Sequence, residues 1–143
     1  MRTIFDAIKL NHLAAKNRIV RSATWEAIAN PDGTPSEQQL QIYKEMAEGE
    51  VGTIITGFTS VSDTDGYLGD GMARLSDDLQ IPGWKKLTDI CHQYGARVIT
   101  QLALGEYVTG RGVLEPDACT TDDLYDITEL FANAARRARE AGF

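Results

Sequence analysis

Ser22, Ala23, Thr24 and Trp25 are the first residues whose types and spacing suggest a ligand. They follow Ile19 and Val20, two β-branched residues that suit a sheet. Ser22 and Thr24 each carry a hydroxyl that both donates and accepts. Ala23 adds little bulk, so a flat ligand could approach the backbone closely. The plainer alternative is that both hydroxyls satisfy a turn after a strand. Two later segments have the same character, at Gly57-Phe58-Thr59 and at Gln101-Leu102-Ala103-Leu104. All three are small or polar and lead from an apolar run into a loop, which together favours a binding site over three unrelated turns.

Other chemistry is sparse. His12 and His92 lie far apart and show no metal-ligand spacing, so no zinc site is expected. His12 falls at an exposed turn with nothing nearby to tune it. Cys91 and Cys119 form no CxxC pair, and reduced thiols in a cytoplasmic protein are expected. Cys91 falls on an apolar helix face and reads as a packed thiol, not a nucleophile.

The elements that must position these residues alternate. Residues 4–16 suggest a small hairpin turning at Asn11-His12, leading into a first strand that ends before Ser22. Asn30-Pro31-Asp32-Gly33-Thr34-Pro35 is a loop. Ser36 and Gln39 have capping-box spacing, and Leu40, Tyr43, Met46 and Ala47 share the face of a helix stopping near Gly49. Residues 51–57 predict a second strand, nearly continuous in apolar character, and 59–80 a long loop. Pro82 opens a second helix whose apolar face is Trp84, Leu87, Ile90, Cys91 and Tyr94, with Gly95 as its stop. Residues 96–102 predict a third strand, and 104–125 another long loop. A third helix is expected over 127–141, capped by Asp126 or Thr128 and ended by Gly142, with Arg136, Arg137 and Arg139 on a solvated face.

Strand, helix, strand, helix, strand, helix argues for a parallel sheet. An open doubly wound sheet and part of an eight-stranded α/β barrel both fit. No GxGxxG follows a strand and no P-loop is present, which weakens the nucleotide-binding open sheets. In either class the site lies at the carboxyl ends of the strands.

Composition narrows the partners. The 143 residues are 43% hydrophobic and 24% charged, as in globular chains. A net charge of -7 disfavours nucleic acid and anionic membrane surfaces, which demand a basic face. No run approaches the length of a membrane span, and the first residues lack the apolar stretch of a signal peptide.

An ordered set of short motifs runs along the chain. Phe5-Asp6 with Ile8-Lys9-Leu10, then Lys16-Asn17-Arg18-Ile19-Val20-Arg21-Ser22-Ala23-Thr24, resembles the opening of the Old Yellow Enzyme family, the FMN-dependent NADH:flavin oxidoreductases and ene-reductases. Tyr43 and Ala47 before Gly52, Ile54-Ile55-Thr56-Gly57, Ser76-Asp77 with Ile81-Pro82-Gly83, Gln101-Leu102, and Phe131-Ala132 through Ala141-Gly142-Phe143 continue it in the correct order.

The resemblance implies an FMN-binding (β/α)8 barrel, with NAD(P)H as reductant and an activated alkene or another small molecule as acceptor. Of that barrel the chain would be the N-terminal portion, about three β/α units preceded by a short β-hairpin. By the same resemblance Ser22, Ala23 and Thr24 lie against the flavin, Thr24 tunes it, Gly57 and Phe58 pass beside the ring, and Trp25 shapes the substrate side. Gln101 matches a glutamine that hydrogen-bonds the pyrimidine edge, where an amide can both donate and accept. Without a ligand, Gln101 is a buried polar residue satisfied by backbone.

Two departures stand out. Relatives often carry a histidine three residues after this glutamine, and here that place is Leu104. The chain also reaches only Phe143, whereas a complete barrel takes about 250 residues. The expectation is one domain portion, residues 1–143, stopping before strand four, binding FMN weakly or not at all alone, without turnover, and self-associating through open sheet edges. A non-redox α/β-barrel enzyme would want a lysine or carboxylate at a strand end; none of the three ends offers a lysine, though Glu26 lies just beyond one. A non-catalytic half-barrel assembly module is the remaining alternative.

Overall fold

The structure is a computed structural model that describes residues 1–67 and 69–143. The hairpin forms as expected, β1 (Ile8–Leu10) pairing antiparallel with β2 (Leu13–Ala15) across a turn in which Asn11 takes φ 51°. Lys16 leaves the hairpin and donates to the last carbonyls of two helices, at Ala47 (3.2 Å) and Tyr94 (2.9 Å). A cation suits those carbonyls because a helix C-terminus is the negative end of its dipole. The hairpin is thereby fastened to the end of the sheet opposite the strand carboxyl ends.

The sheet is parallel and centred on β4 (Thr53–Ser60). β3 (Val20–Arg21) pairs along one side, Arg21 facing Ile54, and β6 (Arg97–Ala103) along the other. α1 (Glu37–Glu48) joins β3 to β4, α2 (Ile81–Gln93) joins β4 to β6, and α3 (Thr121–Glu140) follows β6. β5 (Ala73–Arg74) lies between β4 and α2 in sequence, and β7 (Val108–Thr109) and β8 (Gly112–Val113) make a hairpin before α3.

One hydrophobic core joins all three helices to one face of the sheet. Ile54 and Val98 pack with Leu40, Tyr43 and Ala47 of α1, Trp84, Leu87 and Cys91 of α2, and Ala138 of α3. Doubly wound sheets cover both faces, whereas a barrel places every helix outside. The second face carries Val20 and Ile99, 55% and 40% exposed, and the half-buried Ile55. That arrangement decides for the barrel class over the open sheet.

Several boundaries differ from expectation. The second strand runs past Gly57 to Ser60, because β5 and β6 both pair with its last residues, Thr59 and Ser60. Those residues are buried, and their hydroxyls bond Gly57 O (3.2 Å) and Asp65 Oδ2 (2.8 Å). β5 also takes over the edge of β4 that β3 leaves, so that edge is open along only part of its length. The third helix begins six residues before Ile127, at Thr121, and neither Asp126 nor Thr128 caps it. Its cap is Thr120, whose side chain and that of Asp123 each bond the other's backbone N–H. Only half of the box expected at α1 forms: Ser36 accepts from Gln39 N, but the Gln39 side chain turns to Glu26 (3.4 Å). Arg136 and Arg137 do not only face solvent. Both bond Asp78, at 2.6 and 2.7 Å, and tie α3 to the turn before α2.

Candidate functional site

The three strand ends converge. Residues 22–25 continue past β3 without ladder pairing and cross the end of β4. A Cβ on Gly57 would collide with the Thr24 carbonyl oxygen and lie 2.8 Å from Trp25 Cα, both backbone atoms. Glycine is needed there because the backbone of this arm rests directly on the strand. Beside Gly57, Phe58 is the register partner of Gln101. The sheet has an irregularity here: β4 uses three steps from Ile55 to Phe58 while β6 uses two from Ile99 to Gln101. Thr56 repairs the ladder, its Oγ1 accepting from Gln101 N at 3.1 Å. Such bulges occur next to active sites, where they re-aim side chains.

The sequence-nominated residues are therefore neighbours on one end of the sheet. Ser22, Thr24, Trp25 and Gln101 are exposed, Ala23 and Phe58 half-buried and Gly57 buried. Gln101 is not a buried polar residue satisfied by backbone: its side-chain amide has no hydrogen-bond partner among the described residues. The Thr24 hydroxyl donates back to Ser22 O at 3.3 Å, leaving its lone pairs to accept. Trp25, 49% exposed, stands at the rim.

Two polar groups whose partners the sequence does not show hold the surrounding chain. Beneath the arm, Arg21 and Glu26 form an ion pair at 2.5 Å, with side chains 17% and 11% exposed. Tyr43 of α1 donates to Glu26 Oε1 (3.3 Å) and presents its ring 5.7 Å from the Arg21 guanidinium. Burial, then the Glu26 charge, pushes the Tyr43 phenol well above its ordinary value. Tyr43 is thus a neutral hydrogen-bond donor to Glu26. Glu26 is engaged by Arg21 and by α1.

The second group is Asp65, 4% exposed. Its carboxylate accepts from Ser60 Oγ (2.8 Å), Tyr67 N (3.0 Å), Gly105 N (3.0 Å) and Glu106 N (2.9 Å). Burial opposes its charge, yet the backbone donors of Gly105, Glu106 and Tyr67 with the Ser60 hydroxyl outweigh burial and hold the carboxyl below its ordinary value. The loop after β4 is thereby pinned to the loop after β6, just beyond Leu104. The pin sets Tyr67 against Phe58, ring centroids 6.2 Å apart. The Tyr107 hydroxyl bonds Asp126 at 3.4 Å. Cys91 is fully buried, and burial pushes its thiol up to about 12, as befits a core residue.

Comparison with known proteins agrees with this architecture. Residues 3–110 match the NADH:flavin oxidoreductase / NADH oxidase family. The whole chain is 31% identical to an NADPH dehydrogenase of Listeria monocytogenes, covering 46% of it. It is 28% identical to a metal reductase of Desulforamulus reducens, covering 24% of that protein. The chain thus spans between a quarter and half of the length of these curated relatives. Among solved structures, a variant of NCR from Zymomonas mobilis superposes over the full chain with a TM-score of 0.83 at 26% identity, 43% of that chain being covered. The Old Yellow Enzyme from Pichia sp. AKU4542 gives 0.84 over 98% of this chain and 44% of its own, its 22% identity bearing on the fold alone. The fold is the N-terminal portion of a (β/α)8 barrel, and the chain belongs to the NADH:flavin oxidoreductase / NADH oxidase family.

Proposed function

We propose that residues 1–143 form the N-terminal part of an FMN-binding barrel domain, and that its three strand ends are the ring-facing part of the flavin site. When bound, FMN would supply the hydride chemistry by which such an enzyme takes electrons from NAD(P)H and passes them to an activated alkene or another acceptor. The observation that carries this reading is the contact of the Thr24–Trp25 backbone with Gly57, beside an exposed and unpaired Gln101 amide.

The residues present fit a flat heterocycle with alternating donors and acceptors. Ser22, Ala23 and Thr24 offer small groups and free acceptor lone pairs on an arm without ladder bonds. Gly57 lets that arm lie low, and Phe58 gives an apolar neighbour. Gln101 can donate and accept at once, and Thr56 fixes its backbone. Thr24, the residue proposed to tune the flavin, acts through its hydroxyl or its amide. Trp25 walls the substrate side and keeps water from that rim. The residues named here would face the ring; much of the affinity for FMN should come from phosphate contacts.

The chain on its own therefore binds FMN weakly and does not turn over. The bare sheet face and the outer edges of β3 and β6 favour self-association. No described helix is long and apolar enough to cross a membrane, and the free thiols of Cys91 and Cys119 suit a cytoplasmic location.

The visible spectrum of the purified chain before and after addition of FMN tests the reading. A perturbed flavin spectrum at high FMN that does not survive gel filtration is expected. An unperturbed spectrum at every concentration contradicts the site, and stoichiometric yellow flavin after gel filtration contradicts weak binding by the isolated chain.

A further inference from the structure

We propose that Arg21 is the positioning residue of the arm 22–25, its guanidinium acting as a clasp between the end of β3, the end of β4 and α1. The proposal deepens the flavin reading by naming what holds the flavin-facing arm in place. The clasp itself is tested without flavin.

The argument begins with what the arm lacks. Ladder pairing between β3 and β4 ends at Arg21 and Ile54, so the next four residues have no strand to hold them. Arg21 replaces that ladder with its side chain. One terminal nitrogen donates to Ile55 O at 2.9 Å, a β4 carbonyl just beyond the last paired residue. The other donates to Thr24 O at 3.3 Å and to Glu26 Oε1 at 2.5 Å. A planar fork with fixed donors can serve three acceptors at once, and a lysine ammonium cannot reproduce that geometry. Thr24 O is also the atom that a side chain at Gly57 would strike, so the clasp and the glycine act on the same peptide.

Glu26 closes the arm from its far side. Tyr43 Oη (3.3 Å) and Gln39 Nε2 (3.4 Å) both donate to its carboxylate, which anchors it to α1. The chain then turns at Ala27, where φ is 54°. A non-glycine residue in the left-handed region is strained and persists only where its surroundings hold it. Here they do: the Ala27 carbonyl fits against Gly71 so closely that any side chain there would collide with it. Arg21 at one end, Glu26 at the other and a strained turn behind leave residues Ser22 to Trp25 with one course across β4.

Trp25 reports directly on the clasp. It is 49% exposed, and the other tryptophan, Trp84, is fully buried. Acrylamide quenching of tryptophan emission in the full chain therefore separates the two. In Arg21→Met the accessible component should be quenched about twofold more strongly, because a released arm takes Trp25 from half to nearly full exposure. Adding Trp25→Phe to Arg21→Met should return quenching to that of Trp25→Phe alone, which locates the change. Arg21→Lys should restore only part of the protection. A folded Arg21→Met chain, by far-UV circular dichroism, with unchanged Trp25 quenching overturns the proposal. Should that variant not fold, Arg21→Lys decides on the same measurement: increased quenching supports the clasp and unchanged quenching overturns it. If quenching rises but FMN perturbs both spectra equally, the clasp stands and the flavin reading of the arm fails.

Discussion

The two faces of the sheet differ in what covers them. Against α1, α2 and α3, Ile54, Tyr43, Trp84 and Leu87 are fully buried, and Trp84 Nε1 donates to Arg74 O at 2.7 Å. On the opposite face, strand neighbours of the same apolar type remain exposed: Val20 at 55% and Ile99 at 40%. Alternation along one strand sends successive residues to environments of opposite kind. Stability of this chain is therefore built on one face, and the other face and its carboxyl-end rim are left for contacts the chain does not make with itself. Gln101 belongs to that rim, which is why an unpaired amide costs it nothing in water.

That contrast can be broken in steps. The largest effect is expected for Trp84→Ala, which removes a fully buried indole packed on Phe143 at 5.7 Å between centroids. Chemical denaturation should show a loss of about 3–5 kcal/mol. Next is Asp65→Asn, which takes the charge from a carboxylate serving three backbone donors and Ser60. A loss of about 1–3 kcal/mol is expected, with hydrogen exchange rising at Gly105 and Glu106 while the helix-side core stays protected.

Acidity probes the same pin. The Asp65 carboxyl lies below its ordinary value in the folded chain, so its contribution to stability is complete above the unfolded value, near pH 4. It is lost as pH falls through the lower folded value. Stability measured from pH 6 downward should fall in the wild type more steeply than in Asp65→Asn over that acid range. On the bare face, Ile99→Thr should change unfolding free energy by about 0.5 kcal/mol or less. Its effect should instead appear as weaker self-association in sedimentation. A large stability loss there would mean the face is covered within the chain. The smallest effect is expected for Lys85→Ala, whose partner Asp89 is a solvent-exposed helix neighbour at 2.8 Å: within about 0.5 kcal/mol.

The sequence showed most of the covered face and less of the rim. The α2 face from Trp84 to Tyr94 and its stop at Gly95 (φ 72°) follow helical period and chirality, both local properties. Ser36 as a cap is equally local. β5 was missed because two residues inside an Asp- and Gly-rich loop carry no periodicity; only their pairing with Thr59 and Ser60 makes them a strand. The early start of α3 is not legible because Leu124 and Tyr125, exposed in the structure, give its first turns no apolar stripe toward the core. Small polar ends marked Ser22–Trp25, Gly57 and Gln101 as candidates, and the structure brings them together. The roles of Arg21, Glu26 and Asp65 are not legible in the sequence because part of their hydrogen bonding comes from other elements: Ile55 for Arg21, Tyr43 for Glu26, and Gly105 with Glu106 for Asp65.

The most direct test of the central claim compares the FMN-induced visible difference spectrum of the wild-type chain with those of Gln101→Ala and Gly57→Val at high FMN. Gln101→Ala removes the amide proposed for the ring edge, and Gly57→Val forces the Thr24–Trp25 backbone off the strand. The account predicts a perturbation in the wild type that both variants lose while remaining folded. An equal perturbation in all three chains would contradict a flavin site built from these strand ends.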